Sequence, residues 1–302
     1  MLTEKKIIFW GTPLFAVPSL VELHKLGLVK AVVTRASKPA GRGRQISDSP
    51  VKIWAEENNV PVLAFVKLDA DFIVELKKYL PATFVVVAYG KIIKQDVLDL
   101  SELPAINLHP SRLPEFRGPS PIQAALLSGQ ASTAVSIMQL DDKMDHGPLL
   151  KQEEIKIDSK DNFASLSEKL SLSGAKLLKN TITSYLAGEI KPMPQDDSLA
   201  TLCALIQKED GLIKWEESAE SINNKIRAYT PWPSAYTKLS GVEVKILAAK
   251  ISSKKLKPAE IEIQREQLFV GTGTNALEIL ELQAAGKKPM LAADYVRGLR
   301  NK

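Results

Sequence analysis

The sequence predicts an α/β protein in which an open, mostly parallel sheet domain of the Rossmann type precedes a smaller β-barrel of the oligonucleotide-binding (OB) type. Roughly the first 140 residues alternate short apolar runs with amphipathic stretches, the pattern of buried strands joined by helices. Roughly the last hundred residues hold short apolar runs separated by turn residues every eight to twelve positions, which is typical of a small barrel.

Size and composition favour a cytoplasmic protein without a metal. The chain has 302 residues, enough for two domains. A single cysteine, Cys203, excludes an intramolecular disulfide framework, and the three histidines lack metal-ligand spacing. The N-terminal residues do not form an export signal, and no apolar run approaches the roughly 18 residues that span a bilayer.

Strands and helices of the first domain follow from the apolar pattern. The apolar runs predict strands at residues 6–10, 28–34, 83–88, 105–109 and 134–140. The amphipathic stretches predict helices at residues 14–26, 51–58, 69–79 and 121–127. In Thr12-Pro13 and Ser49-Pro50 a capping hydroxyl precedes a proline suited to the first helical position, so both pairs predict helix starts.

A proline-containing segment marks the domain boundary. A strand at 149–157 and a long helix at 162–186 precede residues 191–197, which have two prolines and no periodicity. We therefore expect an α/β domain at residues 1–188, a linker at 189–207 and a C-terminal OB-like domain at 208–302. In that domain we predict a helix at 219–229 and strands at 235–239, 244–251, 260–263, 268–271 and 277–283.

The positive charge of the chain lies mainly in its last third. Residues 1–204 carry 24 basic and 23 acidic residues, whereas residues 205–302 carry 16 and 12. A basic bias of this size suits an acidic partner such as nucleic acid and is equally compatible with an ordinary solvated surface.

Asn107 and His109 are the strongest candidates for chemistry. Alternation along a strand places both on one face, with Ile106 and Leu108 on the other. Pro110 ends the strand, so the imidazole lies at the carboxyl end of the sheet, where open α/β folds bind ligands. Taken alone, the two residues are also compatible with satisfied structural groups.

Two loops near this edge carry charge. Residues 141–148 contain three aspartates directly after a predicted strand, and one of them close to His109 would favour its protonated form. Residues 35–49 form a long loop with Lys38, Arg42 and Arg44, which suits phosphate binding or a flexible solvated loop. Gly11-Thr12-Pro13 lacks the glycine fingerprint of a dinucleotide site, so a nicotinamide cofactor is disfavoured.

Motifs along nearly the whole chain resemble those of the folate-dependent formyltransferases. The N-terminal motifs are Gly11-Thr12-Pro13 with Phe15, Lys38 to Gly43, Val86 to Gly90, Asn107 to Pro114, Phe116-Arg117-Gly118 and Asp141 to Gly147. The C-terminal motifs are Lys208 to Gly211, Arg227 to Pro233 and Gln283 to Met290. The basic loop and these C-terminal motifs are similar to the branch of the family that acts on initiator methionyl-tRNA.

The resemblance implies a set of site residues and partners. It implies formyl transfer from 10-formyltetrahydrofolate to the α-amine of methionyl-tRNA, with no metal, membrane or obligate protein partner. The implied catalytic residues are Asn107, His109 and Asp145. The implied folate-binding residues are Ser111, Arg112, Leu113, Pro114 and Asp142. The implied RNA-binding residues are Lys38, Arg42, Arg44, Lys208, Lys287 and Lys288.

Two departures and two alternatives accompany this interpretation. Arg112 stands where the family usually has leucine, and Asp141 to Met144 replace a run that usually contains a glycine.

A formyltransferase for a small amine (an amino-sugar nucleotide or glycinamide ribonucleotide) or a formyltetrahydrofolate hydrolase would keep the same three catalytic residues. A non-catalytic RNA-binding protein is the alternative from another class, and it predicts tRNA binding without turnover.

Overall fold

Two compact units share the chain between them. The computed structural model describes residues 5–40, 45–239 and 241–300. The first unit consists of Met1–Gly118, Thr133–Ile155 and Ser167–Leu202, and the second of Pro119–Ser132, Lys156–Leu166 and Cys203–Lys302. Two short pieces of the N-terminal half are therefore built into the second unit.

A mostly parallel sheet organises the N-terminal half. The strands in chain order are β1 (Ile7–Gly11), β2 (Val29–Arg35), β3 (Lys38–Ala40), β4 (Gln45–Ser47), β5 (Val62–Phe65), β6 (Thr83–Val87), β7 (Ile106–His109), β8 (Ser132–Gln139) and β9 (Leu149–Lys156). Seven of them form one sheet in the order β5-β2-β1-β6-β7-β8-β9. The strands from β5 to β7 are parallel, and β8 runs antiparallel to β7. The predicted α/β class is confirmed.

Burial explains why the central strands could be predicted and some peripheral ones could not. Every residue of β1 and of β6 is buried, as expected for strands covered on both faces. The edge strand β5 is only partly buried, and the sequence analysis did not predict it. Strands β3 and β4 pair with each other as an antiparallel hairpin in the segment that was expected to be a loop.

The helices begin where their caps allow. They are α1 (Val17–Lys25), α2 (Pro50–Glu57), α3 (Ala70–Lys77), α4 (Gln95–Leu98), α5 (Pro121–Leu127), α6 (Phe163–Leu186), α7 (Ala219–Tyr229) and α8 (Ala292–Arg300). Ser49 caps α2 as predicted, because its Oγ accepts a hydrogen bond from the Lys52 amide at 3.0 Å. The prediction at Thr12 was wrong: its hydroxyl donates to the Tyr89 carbonyl, and a 3₁₀ turn at Leu14–Ala16 precedes α1.

An antiparallel sheet forms the second unit together with helices from both halves of the chain. Its strands are β10 (Ala235–Leu239), β11 (Val242–Ile251), β12 (Ile261–Gln264), β13 (Gln267–Val270), β14 (Leu277–Ala284) and β15 (Met290–Leu291). They follow the order β10-β11-β14-β13-β12, with β15 beside β14. Helix α7 packs on β11 and also on α5. The shared interface with α7 explains why residues 119–132 belong to this unit.

Part of the expected linker belongs to the first unit. Residues 189–202 fall within it, and the backbones of Leu149 and Met193 exchange two hydrogen bonds of 2.7 and 2.8 Å. The Arg117 amide donates to the carbonyl of Thr201 at 2.9 Å. Polar residues without periodicity had suggested an extended spacer, whereas this segment satisfies its backbone on the unit that precedes it.

Helices that could cross a membrane are absent from the part of the chain that the structure describes.

Helix α5 provides a test of this division of the chain. Leu126 of α5 is fully buried in the second unit, and Ile137 of β8 is fully buried in the first. Leu126→Ala should lower the free energy of unfolding by about 2–5 kcal/mol, because a buried cavity is left behind. In hydrogen exchange it should increase exchange in α7 more than in β7, and Ile137→Ala should show the opposite pattern. If either variant increased hydrogen exchange equally in α7 and in β7, the division into two units would be contradicted.

Candidate active site

Strand β7 brings Asn107 and His109 to the carboxyl edge of the sheet. Leu108 between them points to the other face, where a Cβ added to Gly174 of α6 would lie only 2.7 Å from its Cδ2. Gly174 thus permits a close approach of the helix to the strand. Since side chains alternate along a strand, Asn107 and His109 both project away from α6.

The His109 imidazole is buried between two partners. The residue is 4% exposed, and its Nε2 lies 3.0 Å from the carbonyl oxygen of Phe116. A carbonyl only accepts, so this contact requires that Nε2 carries the hydrogen. The other nitrogen, Nδ1, faces Oδ2 of Asp145 at 3.6 Å, which is an ion-pair distance rather than a hydrogen bond.

Asp145 lies in the loop after β8 and is held in a left-handed backbone conformation, with φ of +49°. Its Oδ2, the oxygen that faces His109, also accepts a hydrogen bond of 2.9 Å from the amide of Gly118. The side chain is only 14% exposed, so its charge is screened less by solvent than that of a surface carboxylate. A negative charge is therefore fixed beside the imidazole.

Asn107 is half-buried, and within the described ranges its side-chain amide has no hydrogen-bond partner. An amide can donate to a developing oxyanion, and the imidazole can both donate and exchange a proton. The geometry therefore combines donors for a negative oxygen with a carboxylate able to accept a proton. Groups of three or more potential metal ligands do not occur among the residues that the structure describes.

His146 organises the loop that carries Asp145. Its Nδ1 lies 2.7 Å from Oδ2 of Asp141, and its Nε2 lies 3.3 Å from Oδ2 of Asp197. The hydrogen bond from Arg117, with a smaller contribution from His146, holds the pKa of the Asp197 carboxyl below its usual value. Asp141, one of the unusual residues before Asp145, thus anchors the loop through its contact with His146.

Residues 195–201, which were expected to belong to the linker, border these groups. The Gln195 amide donates to the carbonyl oxygens of Asp145 and Gly147, and the Thr201 hydroxyl accepts from the amide of Phe116. No local pattern marks such residues, since their partners are distant in the sequence.

Comparison with known proteins places this geometry in a family. The formyl transferase family matches residues 5–182, and the formyl transferase C-terminal domain matches residues 205–300. The chain belongs to the formyl transferase family. It is 41% identical over 298 residues to the methionyl-tRNA formyltransferase of Koribacter versatilis (strain Ellin345), covering 97% of this chain and 96% of the relative. The corresponding enzyme of Geobacter metallireducens (strain ATCC 53774 / DSM 7210 / GS-15) is 38% identical over 297 residues, with 97% and 96% covered.

Solved structures of the same fold are more distant in sequence. The sugar 3N-formyl transferase WlaRD has a TM-score of 0.70 at 19% identity, with 94% of this chain and 99% of that chain covered. The N-formyltransferase of Helicobacter canadensis has a TM-score of 0.71 at 18% identity, with 93% and 99% covered. These similarities support the fold.

The turn expected to hold the folate donor of the family follows directly after β7. Ser111 is fully buried and donates to the carbonyl of Glu115 at 2.6 Å, and Leu113 is 2% exposed. Arg112 pairs with Glu154 at 2.8 Å. The side chains of Ser111 and Leu113 therefore shape the turn, and Pro114 is only partly buried. The carbonyl groups of the turn are also engaged by protein groups. Asp142 is exposed in the loop before Asp145.

The basic residues expected to bind RNA are divided among regions. Arg42 and Arg44 lie outside the described residues, and Lys38 lies in β3. Lys208 begins a 3₁₀ turn in the second unit, and Lys287 and Lys288 follow β14. The last three are all exposed.

Proposed function

We propose that this protein transfers the formyl group of 10-formyltetrahydrofolate to the α-amine of initiator methionyl-tRNA, giving formylmethionyl-tRNA and tetrahydrofolate. The observation that carries the proposal is the grouping of Asn107, His109 and Asp145 at one sheet edge in a chain that aligns end to end with methionyl-tRNA formyltransferases. We propose the cytoplasm, where charged tRNA enters translation, as its place of action.

The chemistry requires stabilisation of a tetrahedral intermediate. The α-amine attacks the formyl carbon, and the carbonyl oxygen becomes negative as the new C–N bond forms. The Asn107 amide and Nδ1–H of His109 donate to this oxygen, since Nε2 is engaged by Phe116. His109 then carries a hydrogen on both ring nitrogens, so Asp145 takes the proton released by the amine and returns it to N10 of the folate as the C–N10 bond breaks. One such donor is commonly worth roughly 3 kcal/mol of barrier.

Folate and tRNA contact different parts of the chain in this proposal. The donor lies against the turn from Ser111 through Arg112 and Leu113 to Pro114 and against the backbone around Asp142. Residues 1–188 supply catalysis, and residues 208–302 supply phosphate contacts through Lys208, Lys287 and Lys288. In the segment between 35 and 49, Lys38, Arg42 and Arg44 act on the aminoacylated end.

A formyl-transfer assay with several acceptors tests the function. Methionyl-tRNA should be formylated, whereas uncharged tRNA and an amino-sugar nucleotide should not. Preferential formylation of the nucleotide, or hydrolysis of the donor without an acceptor, would refute the tRNA assignment. Binding of methionyl-tRNA without any turnover would indicate an RNA-binding protein instead.

Loss of either proposed oxyanion donor should reduce turnover strongly. Asn107→Ala and His109→Ala should each lower formyl transfer by at least about a hundredfold, because both groups act on charge that develops in the transition state. Single-turnover rates measure the effect, with circular dichroism as the control for folding. Activity within threefold of wild type in a folded variant would exclude that residue from catalysis.

Asp145→Asn should remove most activity while preserving local structure. The amide oxygen still accepts from the Gly118 amide, but the negative charge beside His109 is lost. Turnover should fall about a hundredfold or more. Asp141→Asn, which removes a carboxylate of the same loop that contacts His146 rather than His109, is the matched control and should cost less than tenfold. Equal losses in the two variants would assign the effect to loop structure.

The salt dependence of tRNA binding should show whether the second unit contacts the phosphates of the tRNA. Replacing Lys287 and Lys288 together by alanine should weaken binding and reduce the log-log salt slope by about two, because two phosphate contacts are removed. Lys250→Ala is the control, since Nζ of Lys250 already pairs with Glu278 at 3.0 Å. Arg42→Ala should reduce turnover more than affinity. Filter binding across a salt series, run beside single-turnover formylation, distinguishes these outcomes. An unchanged slope in the double variant would contradict the RNA-binding role of Lys287 and Lys288.

A further inference from the structure

Two residues of the candidate site share an uncommon backbone conformation. Asp145 has φ of +49° and Phe116 has φ of +56°, values that non-glycine side chains rarely adopt. Each makes a contact to His109: Asp145 through its carboxylate, and Phe116 through its carbonyl oxygen. Strained conformations of this kind persist only where the surroundings fix them. Hydrogen bonds of Gln195, Arg117 and Thr201 do so here.

Gln195 fixes the backbone at Asp145 and two residues beyond it. Its Nε2 donates to the carbonyl oxygen of Asp145 at 3.0 Å and to that of Gly147 at 2.7 Å. Both hydrogens of the amide are therefore used on one loop. Gln195 is half-buried, so water competes for these hydrogen bonds less than it would at the surface.

Arg117 connects Gln195 to the second strained residue. The buried guanidinium donates through Nε and Nη2 to Oε1 of Gln195, at 3.1 and 2.9 Å, and through Nη2 to Asp197 at 2.8 Å. Arg117 directly follows Phe116 and precedes Gly118, whose amide binds the Asp145 carboxylate. One side chain thus ties the loop of Asp145 to the loop that contacts Nε2 of His109.

Thr201 holds the same loop from the other side. Its hydroxyl accepts from the Phe116 amide at 2.9 Å, and its carbonyl accepts from the Arg117 amide at 2.9 Å. The carbonyl of Phe116, which is left pointing at His109, is therefore oriented by hydrogen bonds on both sides of that peptide.

We propose that Gln195 is a positioning residue for formyl transfer: clamped by Arg117, it sets the orientation of Asp145 relative to His109. This proposal rests on the proposed function. Gln195 acts only through other protein groups, since both ends of its amide are engaged by the protein. Its effect is therefore expected on the rate of the chemical step rather than on substrate binding.

Gln195→Met keeps the length of the side chain and removes its donors. We expect kcat to fall about thirtyfold, while KM for the folate donor and for methionyl-tRNA each stay within about threefold. Gln195→Glu keeps an oxygen for Arg117 but sets a carboxylate against two carbonyls, so it should be at least as impaired. Ser198→Ala, in the same segment, is the control and should match wild type, because among the described residues Ser198 forms side-chain hydrogen bonds only with Asp196.

Coupling to Asp145 separates positioning from a general structural role. In an Asp145→Asn background, Gln195→Met should cost less than about twofold, because the carboxylate that it orients is already gone. The proposal would be overturned if the losses of kcat in Gln195→Met and Asp145→Asn multiplied in the double variant. A wild-type kcat in Gln195→Met would also overturn it. Rescue of activity by Gln195→Glu would assign the effect to the contact with Arg117 alone and would also overturn it.

An NMR measurement, which needs no turnover, tests the positioning role of Gln195 independently of the proposed function. The chain has three histidines, and His109→Ala assigns the His109 ring signals in proton NMR. Those signals should shift in Gln195→Met and stay unchanged in Ser198→Ala. If the wild-type protein does not formylate methionyl-tRNA, the proposed function fails, and the NMR result still decides whether Gln195 orients this site. Unshifted signals would refute the positioning role.

Discussion

A buried imidazole needs a partner for each ring nitrogen, and the site is arranged around that need. His109 is 4% exposed, so an unpaired ring nitrogen would carry a desolvation cost of about 1–3 kcal/mol. The Phe116 carbonyl satisfies Nε2, and the Asp145 carboxylate faces Nδ1. Both partners come from loops that must bend through left-handed conformations to reach the ring. The strain in those loops is a consequence of keeping the histidine at the end of β7.

The sequence predicted the part of the site that follows local rules. Alternation along β7 placed Asn107 and His109 on one face, and Pro110 placed them at the strand end, as the structure has them. Ser49 likewise fulfilled its role as a helix cap. Thr12, with the same local signal, found the Tyr89 carbonyl instead, because the parallel pairing of β1 with β6 brings that backbone close. A capping motif favours a hydrogen bond from the side chain to the start of a helix, and a tertiary contact can override that preference.

The contacts of residues 195–201 with the site could not be predicted from the sequence, for a different reason. Gln195 is 78 positions from Arg117 and 50 from Asp145, and a polar segment without periodicity gives no sign of such partners. Helix α5 shows the same limit at the level of the fold. Its amphipathic pattern predicted a helix, but a pattern cannot tell that the buried face packs on α7, which lies about a hundred residues later. Periodicity in the sequence identifies a helix or a strand, whereas its packing partner is set by contacts between residues that are distant in the sequence.

Electrostatics acts in two regimes within this chain. The Asp145 charge and the His109 ring are largely removed from water, so dissolved ions screen their interaction little. Lys208, Lys287 and Lys288 are exposed, and contacts of exposed cations with phosphates weaken steeply as salt concentration rises. Under the proposed function, ionic strength therefore acts on tRNA binding far more than on the pair of Asp145 and His109. The same proposal implies that the lifetime of the complex with a large polyanion can change while the geometry proposed to stabilise the transition state stays the same.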